Sequence, residues 1–442
     1  MKPLLSRLKW VLLVSLAFVA GQPERCEGVL PHIRVGILQR QPQVSFSGPA
    51  GVTIKPPRGD KAVAVIPANE TWVIRNPSSL PLRGKGGVVL ISPAGIETDL
   101  PESSLRLTTP EGSTVTIHGV EGHWDQRTDR DYRGAIEVTF SAQGFIVVNV
   151  VDIETYLRGV VPSEMPATYP LAALQAQAVA ARGQALMKAG RHRSEGFDLC
   201  STQHCQVYGG ATSEGPRSDQ AVASTFGQVL VYNGRLADTL YSSTCGGHTA
   251  NNEDYWPGTS PVPYLRGVCD FEPEDRVNCA FPMDEQQVQA YLKYAPAVHC
   301  NQPAYAKADK IRWWSVVRHD ELEKDIRDAV GDIGALLEVR VLDRAPSGLV
   351  RTIVVIGTKR LIKLNGGSAI RRALGGINSA AFAIQAIPDQ NGTPVAFTIW
   401  GAGWGHQVGM CQVGAAGLAD RGWGYEQILS KYYTGCRVEK RY

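Results

Sequence analysis

A surplus of charge of either sign is missing from this sequence, in which Lys and Arg together number 45 and Asp and Glu number 42. Proteins that bind the phosphate backbone of nucleic acid normally concentrate an excess of basic residues. The near balance of charge gives no support for nucleic acid as a partner, and we expect none. Apolar residues make up 43% of the chain, which excludes wholesale disorder and allows a sizeable core.

Long hydrophobic runs are missing after the first twenty residues. The chain starts with basic residues and an apolar stretch, Trp10–Ala20, which is followed by the small residue Gly21. This pattern is typical of a secretory signal peptide, which we place at residues 1–21. The stretch is short for a transmembrane helix of about 20 residues, and an uncleaved anchor is the alternative. We expect an exported protein of the periplasm or cell wall, with no membrane span beyond the signal peptide.

Two common catalytic signatures are also missing. The motif G-x-S-x-G, which presents a nucleophilic serine at a sharp turn, does not occur. The glycine-rich segment Trp400–Gly405 lacks the Lys-Ser/Thr pair that completes a phosphate-binding P-loop. Acyl-enzyme chemistry and nucleotide binding therefore have little support.

The patterns that are present predict an α+β fold with mixed sheets. Short β-branched runs separated by Gly, Pro and Asn predict a β-rich N-terminal part over residues 33–150, and residues 151–442 form a predicted catalytic core. A central alanine-rich helix between Pro170 and Gly190 is expected to lie beside a substrate cleft. Further expected elements are a hairpin at Ser141–Gly144, a hairpin at Asn233–Gly234, helices over 284–294, 320–329 and 412–423, and strands over 336–345, 350–357 and 359–366.

Glu164 is the candidate catalytic residue. It lies between Pro162 and Pro166, which restrict the backbone on both sides, so we expect it on a stiff loop before the alanine-rich helix. A preorganised carboxyl of this kind suits general acid–base catalysis. The alternative is that Glu164 caps the N-terminus of that helix, where negative charge is favoured.

Two further stretches carry residue types that bind sugars. One is glycine-rich and places Trp404, His406 and Gln412 in the last fifty residues; the alternative is a strand-to-helix bend with the Trp as packing. The other contains Ser242, Ser243 and Thr244 before a Gly-Gly turn, and these hydroxyls are either cleft-lining donors or ordinary turn residues.

Four long motifs then support a resemblance to a known family. They are "YLRGVVPSEMPATYPLAALQAQAVAAR", "CQVYGG", "YSSTCGG" followed by "PYL", and "GWGHQVGMCQVGAAGLADRGWGYEQILSKYYTG". In this order they resemble the motifs of the SpoIID/LytB domain, the family of stage II sporulation protein D and of amidase enhancers. The resemblance covers the chain from about Ile33 to its end.

The resemblance implies a lytic transglycosylase that cleaves peptidoglycan glycan strands, with strands stripped of their stem peptides as the expected substrate. The family's essential glutamate falls on Glu164, and its motif Arg, His and Gln fall on Arg182, His406 and Gln412. The expected substrate contacts are Gln175, Gln177, Arg182, Ser242, Ser243, Thr244, Trp404, His406 and Gln412. The alternative is a non-catalytic peptidoglycan-binding protein that enhances a cell-wall amidase, which is then its partner.

A single acid fits the transglycosylase. Hydrolytic glycosidases normally use two carboxylates, whereas in this reaction the 6-hydroxyl of the sugar attacks its own anomeric carbon. Glu164 would donate a proton and then accept one, which requires a raised pKa. We therefore assign Arg182 to substrate or loop positioning and not to an ion pair with Glu164.

The cysteines offer a metal site or disulfides. Nine cysteines in an exported chain predict several disulfides and at least one unpaired thiol. His192, Cys200, His204 and Cys205 match zinc by ligand type, as in some members of the family, and a Cys200–Cys205 disulfide is the alternative. No cofactor is required for the chemistry; the zinc would be structural.

Two cysteines depart from the family motifs. Cys245 and Cys411 replace small serine-like residues of the family, and a disulfide between them is one expectation. The other expected pairs lie among Cys269, Cys279, Cys300 and Cys436.

Overall fold

A computed structural model describes residues 30–76, 87–121, 127–271, 282–294 and 297–442. The predicted signal peptide and two of the cysteines, Cys26 and Cys279, lie outside the described residues. Among the helices of the described ranges, none is long and apolar enough to cross a membrane.

Two sheets form the N-terminal part, and all but one of their described strand pairs are antiparallel. Their strands are β1 (His32–Gln41), β2 (Gln43–Ser47), β3 (Val52–Lys55), β4 (Ala64–Ile66), β5 (Trp72–Arg75), β6 (Val88–Ile91), β7 (Glu97–Leu100), β8 (Ser104–Thr108), β9 (Val115–Glu121), β10 (Arg127–Tyr132), β11 (Ala135–Ser141) and β12 (Gly144–Asp152). One sheet has the order β13-β1-β12-β11-β8-β3-β4, in which β13 (Leu199–Cys200) is parallel to β1, and the other has the order β10-β9-β2-β5-β6-β7.

The period-two alternation of a strand decides which side chains are inside. Leu105 and Leu107 of β8 and Val115 and Ile117 of β9 are buried, and both pairs belong to one continuous hydrophobic core. A surface cavity of about 370 Å³ lies where the two sheets meet, beside Gln41, Arg75 and Phe140. None of the predicted site residues lines it.

Helices α1 (Ile153–Glu164) and α2 (Leu171–Lys188) follow directly on β12. Asp152 caps α1 by accepting a hydrogen bond from the backbone N–H of Thr155 at 3.0 Å. The alanine-rich helix is confirmed as α2, and its small side chains let α1, α3, α9 and α10 pack closely around it.

The remaining elements complete the core and add an insertion. They are α3 (Pro216–Ser224), β14 (Gln228–Tyr232), β15 (Arg235–Leu236), β16 (Tyr241–Ser242), α4 (Asn252–Tyr255), α5 (Glu285–Lys293), α6 (Ala308–Ile311), β17 (Arg312–Arg318), α7 (His319–Val330), β18 (Leu336–Arg344), β19 (Val350–Gly357), β20 (Leu361–Asn365), α8 (Gly367–Ala373), β21 (Phe382–Pro388), β22 (Pro394–Ala402), β23 (Met410–Cys411), α9 (Gln412–Asp420), α10 (Tyr425–Tyr432) and β24 (Arg437–Lys440). Their sheets have the orders β15-β14-β24, β16-β23, β17-β22-β21 and β18-β19-β20.

The insertion lies between β16 and β23, which are parallel neighbours in space. Its two three-stranded sheets, with α7 and α8, enclose a separate hydrophobic core that includes Trp313, Leu322, Ile353 and Phe397. The chain therefore leaves the central domain after β16, folds a second core and returns beside its point of departure.

The α+β class is confirmed. The hairpins at Ser141–Gly144 and Asn233–Gly234 are also confirmed, as are the helices now seen as α5 and α7 and the three strands β18 to β20. The predicted boundary at residue 150 falls inside β12, two residues before α1 begins. The predicted last helix ends earlier, at Asp420, and is followed by α10, which was not predicted.

Candidate functional site

Glu164 is the last residue of α1, which corrects the expectation of a loop. The segment is helical because Ile153, Tyr156, Leu157, Val160 and Val161 repeat at helical spacing and are all buried. Met165 then turns extended and its N–H bonds to the carbonyl of Val161 at 2.9 Å. The carboxyl is thus held at the end of a buried helix.

The side chain of Glu164 does not cap α2. Its Oε1 accepts a hydrogen bond from the backbone N–H of Val207 at 2.6 Å. That N–H belongs to the loop after β13, and α2 has Pro170 in its N-cap position. The helix-cap alternative is therefore wrong for this carboxyl.

Burial raises the pKa of Glu164 to about 7, and the Val207 hydrogen bond opposes this shift. The carboxyl also contributes to the raised pKa of Tyr156 and Tyr241, whose shifts are caused first by their own burial. The two tyrosine hydroxyls are linked through the side chain of Gln206, at 3.0 Å on each side. Glu164 is therefore protonated about half of the time near neutral pH, in a setting of neutral groups.

Two of the predicted glutamines meet at Glu164. The amide of Gln412 donates to the Glu164 carbonyl at 3.1 Å and to Oε1 of Gln177 at 3.3 Å. Gln177 is fully buried and Gln412 is 6% exposed. These contacts position the end of α1, and the amide nitrogen of Gln177 is buried without a hydrogen-bond partner among the described residues.

Gln175 and Arg182 share the opposite face of α2, as their spacing of seven predicts, and that face meets α3. Gln175 donates to the hydroxyl of Ser224 at the surface, at 2.9 Å. Arg182 is wholly buried and forms a bidentate ion pair with Glu154, at 2.7 Å for each contact. The structure thus places Arg182 in a core ion pair, away from any position where it could contact substrate, and away from Glu164.

The hydroxyl-bearing stretch runs beside the glycine-rich segment. Ser242 is opposite Cys411 in the short parallel pair of β16 and β23, and Thr244 forms a bridge with Trp404. Ser242 and Thr244 are buried, whereas Ser243 is partly exposed. Of the three, Ser243 has the side chain most open to a ligand.

Gly409 allows these two segments to come together. Its φ is +74°, and a Cβ atom at this position would lie 2.1 Å from the carbonyl oxygen of Leu240. Any other residue would push β23 away from β16. The glycine of the motif is therefore required by close backbone packing.

His406 is neutral in the structure. Burial lowers the pKa of His406 to about 3. Its Nδ1 accepts from the backbone N–H of Val408 at 3.0 Å, so the ring proton is on Nε2. The ring also hydrogen-bonds to the backbone of Tyr241, whose side chain lies near Glu164, so β16 connects the imidazole and the carboxyl.

Aromatic rings surround this imidazole. The ring centroid of Trp256 is 5.1 Å from that of His406, and the ammonium of Lys310 lies 5.6 Å from the ring of Trp404. Trp256 and Trp404 are both partly exposed and offer flat apolar faces. The sequence analysis did not single out Trp256, Tyr241 or Val207, although the first two stand in the hydroxyl-bearing stretch.

Comparisons with known proteins agree with these motifs. Residues 141–232 match the family model described as stage II sporulation protein. The chain is 30% identical to the stage II sporulation protein D of Bacillus amyloliquefaciens, covering 74% of this chain and 88% of the relative. The corresponding protein of Bacillus subtilis is 30% identical, over 66% of this chain and 76% of the relative. The chain belongs to the SpoIID/LytB family.

Two further matches are an amidase enhancer and a domain model that covers the insertion. The amidase enhancer of Bacillus subtilis is 28% identical, over 63% of this chain and 39% of that protein. Residues 250–409 match a domain of unknown function, DUF8618. This match coincides with most of the insertion between β16 and β23.

The predicted zinc ligands His192, Cys200, His204 and Cys205 do come together, and we call them the histidine–cysteine cluster. Their ligand atoms all lie within 4.8 Å of one another. Nδ1 of His204 is 3.2 Å from Nε2 of His192 and 3.7 Å and 3.8 Å from the two sulfurs. Ligand atoms around tetrahedral zinc are separated by about 3.3–3.8 Å, given the usual zinc–nitrogen and zinc–sulfur bond lengths.

The surroundings of the histidine–cysteine cluster also fit zinc. Nδ1 of His192 contacts the Glu195 carboxylate at 2.6 Å, which is the usual outer partner of a metal-binding imidazole. A hydrogen bond with Cys205 lowers the pKa of Cys200 and the same contact raises the pKa of Cys205, so the pair favours one thiolate, at Cys200. The donor set and its geometry therefore fit the ion that the sequence predicts.

The predicted disulfides are not found among the described cysteines. The seven that the structure describes are all free thiols. The Cys245–Cys411 bond is absent, and Cys300 packs against Cys245 while Cys269 and Cys436 lie partly exposed elsewhere. Of the pairs expected among Cys269, Cys279, Cys300 and Cys436, those between the three described cysteines are not formed, and Cys300 belongs to a different, fully buried group; Cys279 lies outside the described residues.

Proposed function

We propose that this protein is a lytic transglycosylase that cleaves peptidoglycan glycan strands without water, with Glu164 as the only acid and base. Its membership of the SpoIID/LytB family supports a cell-wall role outside the cytoplasm. The observation that carries the proposal is the lone Glu164 carboxyl with its pKa raised to about 7. Such a group can both give and take a proton at neutral pH.

The positions of the other acids support transglycosylation over hydrolysis. Glu154 and Asp152 are the acids that the sequence offers next to Glu164. Glu154 is ten residues earlier on the same helix, which is about 15 Å along the axis, and it is bound to Arg182. A hydrolytic pair would be separated by about 5–9.5 Å. Neither acid is placed to activate water or attack the sugar.

The reaction then proceeds in two proton transfers. Protonated Glu164 donates its proton to the glycosidic oxygen as the bond from that oxygen to the anomeric carbon breaks. The 6-hydroxyl of the same muramyl residue attacks the anomeric carbon of that residue intramolecularly, and the Glu164 carboxylate accepts the hydroxyl proton. The product is a 1,6-anhydro end, no water is consumed, and Glu164 returns to its protonated state.

Neighbouring groups hold the acid and the sugar in place. The Val207 N–H fixes one carboxyl oxygen, and Gln412 with Gln177 fixes the backbone carbonyl of the same residue. The partly exposed faces of Trp404 and Trp256 provide stacking surfaces for sugar rings. His406 is neutral at working pH and adds no charge, and its ring bonds to the backbone of Val408 and Tyr241, which holds the glycine-rich segment beside β16.

We assign a structural zinc to the histidine–cysteine cluster. The ligands would be Nε2 of His192, Nδ1 of His204 and the thiolates of Cys200 and Cys205. The ion would fix the loop that continues to Val207, whose N–H bonds to Glu164. It takes no part in the chemistry, and the reaction requires no other cofactor.

The rate of glycan cleavage should fall with rising pH through a single ionisation near neutral pH. Because the protonated carboxyl is the donor, kcat/KM should be level below the pKa of about 7 and fall about tenfold per pH unit above it. The measurement is kcat/KM for peptide-free glycan strands between about pH 5 and 9, which covers roughly two pH units on each side of that pKa. A rate that rises through pH 7 would show that the carboxylate, and not the acid, is needed first.

Two glutamines of α2 offer a matched pair of variants. Gln177→Ala removes the acceptor of Gln412 beside Glu164 and should lower kcat by roughly 10- to 10²-fold through misplacement of the acid, with KM nearly unchanged. Gln175→Ala removes only the surface contact to Ser224 and should leave both constants unchanged. Equal effects of the two changes would contradict the positions described for them.

The proposed function is tested by its products. Peptide-free glycan strands are incubated with the protein and the new ends are identified by mass. Anhydro-muramyl ends, each lighter by one water than a reducing end, are expected. Reducing ends would mean hydrolysis, and unchanged strands would favour the second candidate, stimulation of a separate amidase, which the name of the amidase enhancer relative supports.

A further inference from the structure

We propose that the chain has a second metal site, in which Cys245, Cys300 and Cys411 with Asp270 bind a structural zinc ion. We call these residues the three-cysteine cluster. Their ligand atoms all lie within 4.8 Å of one another. The site is independent of Glu164 chemistry and of the histidine–cysteine cluster, so it goes beyond the proposed function.

The spacing of the sulfurs agrees with a tetrahedral thiolate site. The sulfurs of Cys245 and Cys300 are 3.9 Å apart. Two thiolates on one zinc ion are separated by about 3.8 Å, because each zinc–sulfur bond is about 2.3 Å long. Three thiolates and one carboxylate oxygen complete the four positions that structural zinc prefers.

Backbone N–H groups around the three-cysteine cluster hold two of its sulfurs. The sulfur of Cys411 accepts from the N–H groups of Cys245 and Gly414 at 3.2 Å and 3.3 Å, and the sulfur of Cys245 accepts from Gly247 at 3.4 Å. Hydrogen bonds of this kind stabilise thiolates and orient metal ligands. Cys411 is also the N-cap residue of α9, where the helix dipole favours a thiolate.

Asp270 is fixed towards the sulfurs in the same way. One carboxyl oxygen accepts from the N–H of Cys300 at 2.7 Å and the other from the hydroxyl of Tyr432 at 2.6 Å. A Cβ atom on residue 414 would lie 2.6 Å from the carboxyl, so Gly414 keeps the space that Asp270 needs. The acid is held where it can act as the fourth ligand.

The complete burial of four possible metal ligands in one cluster is consistent with a bound cation. All four side chains are at most 2% exposed. Their described contacts are with one another, with backbone N–H groups and with the Tyr432 hydroxyl, and no Lys or Arg is among them. Burying a carboxylate beside thiolates without compensation is costly, whereas a divalent ion offsets two of the four ligand charges and the backbone N–H groups stabilise the sulfurs further.

A disulfide explains the cluster less well. A bond between any two of the sulfurs would leave the third thiol and Asp270 buried together with no role for their convergence on the other two sulfurs. It would also need a sulfur–sulfur distance of about 2.05 Å. Zinc uses every one of the four groups.

The site would join three separate parts of the chain. Cys245 follows β16, Asp270 and Cys300 belong to the start of the insertion, and Cys411 ends β23. The next residue, Gln412, is the one that contacts Glu164. A bound ion would therefore fix the point where the insertion leaves and re-enters the central domain, directly behind the candidate catalytic residue.

The test is metal content and ligand type in the purified full-length protein. In the Cys200→Ser/Cys205→Ser variant, which removes the histidine–cysteine cluster, we expect about one zinc per chain with about three sulfur ligands in the X-ray absorption spectrum. Adding Cys300→Ser to this variant should remove that zinc, and adding Cys436→Ser, outside both clusters, should not. No zinc in the double variant after reconstitution would overturn the proposal.

If the variants do not fold, the zinc content of the wild-type protein and the number of sulfur ligands per zinc provide the test. Two filled sites give an average of about two and a half sulfurs per zinc, and the three-cysteine cluster alone gives about three; either result supports the proposal. A single zinc with about two sulfurs overturns it. So does non-reducing peptide mapping that finds a disulfide between any two of Cys245, Cys300 and Cys411.

Discussion

Glu164→Gln should reduce glycan cleavage by roughly 10²–10⁴-fold, the usual contribution of one acid–base group, and towards the upper end because the same group acts twice. The substituted amide keeps an oxygen that can accept the Val207 N–H, so the end of α1 and the loop at Val207 should remain in place. It can neither donate the first proton nor accept the second. Binding of glycan strands should therefore be unchanged while anhydro products disappear.

The measurement combines a binding titration with product counting on the same glycan preparation. Glu97→Gln is the matched control, because Glu97 forms an exposed ion pair with Arg75 on the second sheet. It should retain full activity. Turnover retained by Glu164→Gln would remove this residue from the mechanism, and loss of binding as well would show that the variant is misfolded or that Glu164 binds substrate.

Arg182→Ala should lower the free energy of unfolding by about 3–5 kcal/mol, since it leaves the buried Glu154 carboxylate without its partner. Both guanidinium contacts to that carboxylate measure 2.7 Å, and Arg182 also donates to the carbonyl of Gln228 at 2.9 Å. The hydroxyl of Tyr442 donates to the same carboxylate at 2.6 Å, so the chain terminus depends on it too. Denaturant unfolding of both proteins measures the difference.

A second variant separates the stability contributed by the ion pair from that contributed by packing of the aliphatic part of the Arg182 side chain. Arg182→Ala/Glu154→Ala removes both charges and should be destabilised less than the two single changes together, which gives a favourable coupling energy. Arg340→Ala is the control at an exposed pair with Glu338 and should change stability by less than about 1 kcal/mol. An Arg182→Ala protein of full stability with impaired glycan binding would instead support the substrate contact that the sequence predicts.

The sequence predicted those elements whose local signals are strong. The helix α2 has both an unbroken run of helix-forming residues and a Pro and a Gly at its two ends. The hairpin at Asn233–Gly234 needs two positive φ angles, and these two residues adopt 48° and 75°. Patterns of this kind act over a few residues, so tertiary packing did not change them.

The setting of Glu164 could not be predicted for a physical reason. Pro162 suggested a loop, but α1 accommodates it in its last turn because the buried face from Ile153 to Val161 packs firmly enough to retain the helix. The ion pair of Arg182 with Glu154 could not be predicted from the sequence either. Its spacing from Gln175 predicts a shared face correctly, and only the fold shows that this face meets α3 and not Glu164.

The two cysteine clusters show when sequence spacing predicts which side chains meet and when it does not. Cys200, His204 and Cys205 are close in sequence, and their meeting with His192 was predicted. Cys245, Cys300 and Cys411 come from three distant segments, and only the return of the chain after the insertion brings them together. The prediction brought Cys245 and Cys411 together correctly but as a disulfide, which the described residues do not form, and it did not include Cys300.

The most direct test of the central claim is the source of the oxygen at the new glycan ends. Peptide-free strands are digested by the wild-type protein in water enriched in heavy oxygen, and the products are analysed by mass. If the 6-hydroxyl of the sugar attacks under the control of Glu164, every new muramyl end is an anhydro end that carries no heavy oxygen. New reducing ends that carry heavy oxygen would contradict the account, because water would then be the nucleophile and Glu164 would need a second carboxylate.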